Sequence, residues 1–125
     1  MRIVFATAAA LILAVPLDLA IEAFARRAFD VPLEFAPFQG TVGPYTAGGV
    51  ILAGAAFAVL RRVVRDADRL YIRVAIVALV LSWIPDVALV VLRDPGATVP
   101  AVGSLMVMHA LTAVIVVWLM LRLTR

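Results

Sequence analysis

The amino-acid sequence predicts an all-α protein, a transmembrane four-helix bundle whose helices run up, down, up and down. Hydrophobic residues make up 66% of the 125 residues, and the mean hydropathy is +1.14, whereas soluble domains are about half apolar. The apolar residues fall into four runs, each close to the ~20 residues with which a helix crosses a bilayer. A water-soluble chain this short could not bury so much apolar surface, so lipid must cover it.

We interpret the chain, residues 1–125, as a single membrane domain with spans at about 3–25, 44–60, 70–92 and 99–121. The first span starts as a secretory signal peptide does, with a positive charge before an apolar run. That run is longer than the apolar region of a signal peptide. We therefore interpret it as the first transmembrane helix.

The first span contains a proline and two acidic residues. Pro16 removes a backbone donor in the middle of the helix, so we expect a kink or an opened hydrogen-bond ladder there. Asp18, Glu22 and Arg26 follow at intervals of four residues and therefore share one helix face.

The loop after this span, residues 27–42, contains prolines that preclude regular structure. Its phenylalanines suit an interfacial aromatic belt, so we expect the loop to lie flat on the membrane surface.

The second span is rich in small residues. They include two pairs at four-residue spacing, Gly49 with Ala53 and Gly54 with Ala58. Small residues allow two helix backbones to approach closely, which is how helices associate in lipid. The pattern predicts tight packing inside the bundle, and the alternative is a contact face between two copies of the chain, a homo-oligomer.

The arginines predict the orientation. With the N-terminus in the cytoplasm, eight of the 11 arginines lie on the cytoplasmic side and three lie on the outer side. The positive-inside rule therefore favours cytoplasmic termini in a multi-pass protein of the plasma (inner) membrane of a prokaryote. The eight are Arg2, Arg61, Arg62, Arg65, Arg69, Arg73, Arg122 and Arg125.

Composition also bears on partners and chemistry. The net charge of +3 comes from arginines beside the apolar runs, so the expected partners are membrane lipids and not nucleic acid. The absence of cysteine excludes disulfides and thiolate metal sites, and one histidine cannot form a bis-histidine haem within one subunit. HExxH, GxSxG and Walker patterns do not occur. We predict no cofactor and favour a role other than catalysis.

Three ionisable residues inside the spans are the strongest site candidates. Asp18, Asp86 and His109 are costly in hydrocarbon, so they should turn inward toward one another. Their expected depths are compatible with one polar pocket that opens outward, which would bind a proton, a cation or a small amphiphile, with transport as one use. Glu22, Trp83 and Ser104 are further candidates for its wall, together with Ser82 and Thr112, and an amine could stack on Trp83.

Structural interpretations compete with this hypothesis. Glu22 and Arg26 have the spacing of an ordinary ion pair within one helix. Asp18 could cap backbone groups freed by a proline, or pair with Arg27 or Arg93. A lone His109 more often hydrogen-bonds a neighbouring helix than binds a metal. In that case the protein is an accessory subunit whose buried polar groups only fix helix packing. A membrane enzyme that acts on a lipid or isoprenoid is a third alternative.

The segment Leu105-Met106-Val107-Met108-His109-Ala110-Leu111-Thr112-Ala113-Val114-Ile115-Val116 follows a span with Ser82-Trp83-Ile84-Pro85-Asp86. Together with the loop start Val31-Pro32-Leu33-Glu34 and the small-residue second span, it resembles a family of small four-span proteins of actinobacteria and related high-GC bacteria. The resemblance covers nearly the whole chain. It implies the four-span fold and makes Met108-His109 a signature, but it implies no activity, cofactor or partner.

Overall fold

The structure, a computed structural model, describes all 125 residues and contains helices but no strands. The helices are α1 (Arg2–Ala28), α2 (Val42–Val63), α3 (Ala67–Val91) and α4 (Val99–Leu123), and a 3-10 turn at Ala36–Phe38 precedes α2. All four α-helices are long and apolar enough to cross a membrane. The prediction of an all-α transmembrane four-helix bundle is confirmed. α1 and α2 extend beyond their predicted spans at both ends, and α3 and α4 extend at the end nearer the termini, because a helix continues beyond the hydrocarbon into the interface.

The helices alternate in direction, so both termini lie at one end of the bundle. Arg2 Nη1 donates a hydrogen bond to the carbonyl oxygen of Arg125 (2.6 Å), and Arg61, in the last turn of α2, donates to Thr124 (3.1 Å). We call this end the terminal side. The opposite end, the loop side, carries the two connections at residues 29–41 and 92–98.

The helices form an open arrangement in the order α2, α1, α4, α3. α1 packs chiefly on α4 and α2, whereas α3 packs chiefly on α4 and touches α2 much less. One hydrogen bond, from the Tyr71 hydroxyl to the carbonyl oxygen of Ala53 (3.2 Å), joins α3 to α2 near the terminal side. A gap between α2 and α3 is therefore the main opening in the bundle.

The core has two parts, and the part near the terminal side depends on close helix approach. Ala6, Ala10 and Ala14 of α1 recur every four residues and are fully buried. They pack with large side chains of the other three helices, Val50, Phe57, Tyr71, Val116, Leu119 and Met120. A Cβ atom on Gly54 would lie 2.3 Å from Thr7 Oγ1. Small residues therefore allow α1 and α2 to pack tightly inside the bundle.

The part of the core near the loop side is built by the first loop. Phe35 and Phe38 are each only 1% exposed, and they pack edge to face against each other and against the start of α4. Arg26 holds the loop, since its guanidinium forms an ion pair with Glu22 (3.2 Å) and donates to the carbonyl oxygen of Phe38. We expected the phenylalanines of this loop, Phe29, Phe35 and Phe38, to form an aromatic belt at the membrane interface. That prediction is wrong for Phe35 and Phe38, because the 3-10 turn folds both rings under the loop, whereas Phe29 is exposed.

The turn between α3 and α4 requires a glycine. Gly96 has φ +76°, and a Cβ atom there would lie 2.7 Å from the backbone nitrogen of Phe35. Only glycine combines this backbone conformation with so close an approach. Thr98 then caps α4 by accepting a hydrogen bond from the Ala101 N–H (3.3 Å). The two loop-side connections are thus packed directly on each other.

Candidate functional site

A cavity of about 920 Å³ lies between α2 and α3, with α4 at its back. It is lined by 27 residues, of which 17 are hydrophobic, and Asp18 is the only one from α1. Leu52 of α2 and Val74 of α3 both line it and are 71% and 42% exposed. Because these apolar side chains flank the gap between α2 and α3, the mouth of the cavity faces sideways, toward the lipid that surrounds the bundle.

Asp18 lies in the wall of this cavity and is almost completely buried. It occupies the next position on the four-residue stripe formed by Ala10 and Ala14, which explains its burial. Its Oδ2 accepts hydrogen bonds from the hydroxyl groups of Thr46 (2.7 Å) and Thr112 (2.8 Å). Its Oδ1 is also buried but has no hydrogen-bond partner. One oxygen of the carboxyl group is thus satisfied, and the other has no donor.

Asp86 and His109 form a second polar group in the same wall. His109 Nδ1 lies 2.9 Å from Asp86 Oδ2, an ion-pair distance that joins α3 to α4. The ring N–H is not aligned on the oxygen, and neither atom has another partner. His109 and Thr112 are three residues apart on α4 and therefore share one face. That face of α4 meets Asp86 through His109 and Asp18 through Thr112.

The charged groups of the cavity are mainly acidic. Asp18, Asp86 and Asp94 line it together with His109, and none of the 11 arginines does. Asp94 lies at the loop side and is exposed, whereas Asp18 and Asp86 are buried. No three histidine, aspartate or glutamate side chains come close enough together to hold a metal ion.

Of the remaining predicted candidates, Ser82 also lines the cavity, whereas Glu22, Trp83 and Ser104 lie outside it. Glu22 is held by Arg26 toward the loop. The Trp83 indole N–H donates to the carbonyl oxygen of Met106 (3.1 Å), so the ring packs on the backbone of α4. The Ser104 hydroxyl donates to the carbonyl oxygen of Pro100 (2.8 Å) within its own helix. Ser104 is five residues before His109, which places it on another face of α4.

Sequence reasoning missed one residue of the site, Thr46. The hydroxyl group of Thr46 is one of the two that bind Asp18. It is the only threonine or serine within α2, and that isolation among small apolar residues was the available signal. Tyr45 and Tyr71 also line the cavity and had no distinguishing pattern in the sequence.

These features define the class: the protein is a small multi-pass membrane protein with a four-helix bundle and polar groups inside it. The chain belongs to the family of unknown function DUF6069, whose profile matches residues 1–125. No curated protein and no solved structure matches the chain. The match agrees with the resemblance noted from the sequence in covering the chain with a family that has no established activity. Any function must therefore be argued from the site.

Proposed function

We propose that the protein binds a small amphiphilic molecule in the cavity between α2 and α3. The observation that carries this proposal is the unpartnered Oδ1 of Asp18, buried in the wall of a mostly hydrophobic cavity. A buried polar atom without a partner costs about 1–3 kcal/mol, and more when it is charged. A bound molecule with a hydrogen-bond donor removes this cost. The volume also falls within the roughly 300–1,000 Å³ of small-molecule sites.

The shape and chemistry of the wall favour an amphiphile over a bare cation or a proton. A metal cation takes several oxygen ligands, whereas Asp18 offers one free carboxylate oxygen beside hydroxyl groups that already donate to it, and no three acidic or histidine side chains converge in the protein. A proton needs no cavity. Only a molecule with both a polar and an apolar part uses the polar groups and the hydrophobic walls together.

The mouth between α2 and α3 suggests a route of access from the bilayer. An amphiphile concentrates in the membrane, where the apolar side chains at the mouth would meet it first.

We propose further that the termini face the cytoplasm of a bacterial cell, since eight arginines lie on the terminal side and three on the loop side. The loop-side end of the cavity, at Ala36, Pro37 and Asp94, would then face outward. Fusing a reporter that is active only outside the cytoplasm to the C-terminus tests this orientation, and high reporter activity would refute it.

A second candidate function is that of an accessory subunit without a ligand. The favouring observation is that the hydrogen bonds of Asp18 join three helices, α1, α2 and α4, while Asp86 and His109 join α3 to α4. Such contacts would be useful for helix packing alone. The two candidates differ in whether the cavity has a saturable occupant.

A pair of adjacent glycines allows a matched test. Gly49 lines the cavity and Gly48 does not, and a Cβ atom at either meets nothing within 4 Å. The Gly49→Leu and Gly48→Leu variants, in nanodiscs of zwitterionic lipid, would be photolabelled with decanol that carries a diazirine. In the wild type and in Gly48→Leu, we expect α3 and α4 to be labelled and excess unlabelled decanol to abolish that labelling. In Gly49→Leu, we expect the labelling itself to be lost. Labelling that never saturates, or that is equal in both variants, would overturn the proposal in favour of the accessory role.

A further inference from the structure

We infer that the polar end of the ligand is a protonated primary or secondary amine, which donates to Oδ1 of Asp18. This inference rests on the proposed function and specifies the substrate class of the same cavity. It depends on three features: the unused acceptor of Asp18, the pairing of charges inside the cavity, and the shape of the wall beyond the carboxyl group.

The existing hydrogen bonds of Asp18 show that one of its carboxyl oxygens lacks a donor. Thr46 and Thr112 each have one hydroxyl proton, and both protons are directed to Oδ2. Oδ1 has no donor although it is fully buried. A protonated carboxyl group would not resolve this, because a proton on Oδ1 would find no acceptor. An N–H group on a ligand supplies the missing donor once the carboxyl group turns Oδ1 toward the cavity.

The charges inside the cavity define the sign of the ligand. The two buried acids are Asp18 and Asp86, and the only cationic group available to them is His109 when it is protonated. His109 is already 2.9 Å from Asp86, and no arginine lines the cavity. Asp18 is therefore the buried acid with no counter-charge in contact with it, since His109 contacts Asp86 and acts on Asp18 only from a distance. A carboxylate at membrane depth is costly unless it is paired, so a monocation completes the pairing and a neutral donor does not.

The wall of the cavity on the terminal side of Asp18 defines the apolar part of the ligand. Alanines of α2 and α3 line this part, Ala53 and Ala56 on one side and Ala75 and Ala78 on the other. From Thr46 to Ala56, α2 rises about 15 Å at 1.5 Å per residue. Tyr71 closes this end, because its hydroxyl group is bonded to α2. An unbranched or flat apolar group of about that length fits between the alanines.

Two probes of equal length separate this inference from the proposed function. Decylamine and decanol would each compete with the diazirine-bearing decanol for photolabelling of the cavity in nanodiscs. We expect decylamine to compete at a concentration at least about tenfold lower, since both probes donate to the Asp18 carboxylate but only the ammonium group also supplies the opposite charge. Decyltrimethylammonium, which has the charge but no N–H group, should compete more weakly than decylamine.

Variants of two acids in α1 assign the effect to Asp18. Asp18→Asn should remove the preference for the amine, and decanol should still compete saturably, because the apolar walls remain and the amide oxygen can still accept its hydroxyl proton. Asp18→Glu should retain the preference, which keeps the test valid if the asparagine variant fails to fold. Glu22→Gln is the matched control, because Glu22 lies one turn away on the same helix but outside the cavity. We expect it to behave as the wild type.

The outcomes distinguish the two claims. If neither probe competes saturably, the proposed function fails and this inference fails with it. If decanol competes but decylamine is no better, or if Asp18→Asn keeps the wild-type ratio of the two, the amine assignment alone is refuted. A preference for decylamine that Asp18→Asn removes and Glu22→Gln retains supports both.

Discussion

Replacing Gly54 with alanine should destabilise the bundle, whereas the same change at Gly48 should not. A Cβ atom at position 54 would lie 2.3 Å from Thr7 Oγ1 and 3.2 Å from Thr7 Cγ2, well inside the ~3.5–4.0 Å of a normal contact. Rotation of Thr7 could move Oγ1 away, but Thr7 Cβ would stay 3.3 Å distant. That rotation would also disturb the hydrogen bond from Thr7 to the carbonyl oxygen of Ile3. α1 and α2 must therefore move apart.

The magnitude follows from comparing the two glycines. Overpacking costs about 1–3 kcal/mol, and exchanging glycine for alanine inside a helix gains up to about 1 kcal/mol. At Gly48 nothing lies within 4 Å of the new Cβ atom, so only the gain applies. Because both positions share this gain, the difference in free energy of unfolding between the two variants should be about 1–3 kcal/mol.

The assay is unfolding of the purified protein in mixed micelles by titration with a denaturing detergent, followed by circular dichroism. A second change, Thr7→Ala, removes Oγ1 and Cγ2 and should recover most of the stability lost in Gly54→Ala. The reasoning is refuted if Gly54→Ala is as stable as Gly48→Ala, or if the Thr7→Ala change does not restore it. Either result would mean that α1 and α2 are not in close contact at this position.

Three further predictions use the same unfolding assay. Asp86→Ala and His109→Ala should each lower the free energy of unfolding, since either change alone leaves an unpaired polar group. The double variant should lose about 0.5–3 kcal/mol less than the sum of the two single losses. Additive losses would contradict the pairing. Gly96→Ala should cost more than Gly40→Ala, because both have φ +76° but only position 96 meets backbone atoms within 3 Å; equal costs would show that the loop yields freely. Trp83→Phe should cost about 0.6 kcal/mol, typical of hydrogen bonds between transmembrane helices, and an unchanged stability would count against the bond to α4.

The four helices could be predicted from the sequence because lipid imposes a simple length requirement on apolar runs. The inward direction of Asp18 and Asp86 was predictable for a related reason, since ionisable groups avoid hydrocarbon. The structure buries both, at 2% and 6% exposure. Each of these predictions depends on the solvent alone and needs no knowledge of which helices are neighbours.

The contents of the cavity wall could not be predicted in the same way. Whether Glu22, Trp83 or Ser104 faces the cavity depends on the rotation of each helix and on the packing order α2, α1, α4, α3. That order is set by contacts between side chains distant in sequence, such as Gly54 with Thr7, and leaves no periodic signal in one helix. The burial of Phe35 depends likewise on how the first loop folds over α4.

The sparse protein contact of α3 makes the bilayer itself a determinant of the cavity. Only 6% of the most apolar 18-residue stretch of α3 is buried in the protein, less than in any other helix, so acyl chains must surround most of it. At 25 residues it is about 37 Å long, longer than the ~30 Å hydrocarbon core, and such a helix adjusts to membrane thickness by tilting. Because α3 forms one side of the gap, we expect the width of the mouth to change with lipid length, so that the same protein is open to different degrees in thin and thick membranes.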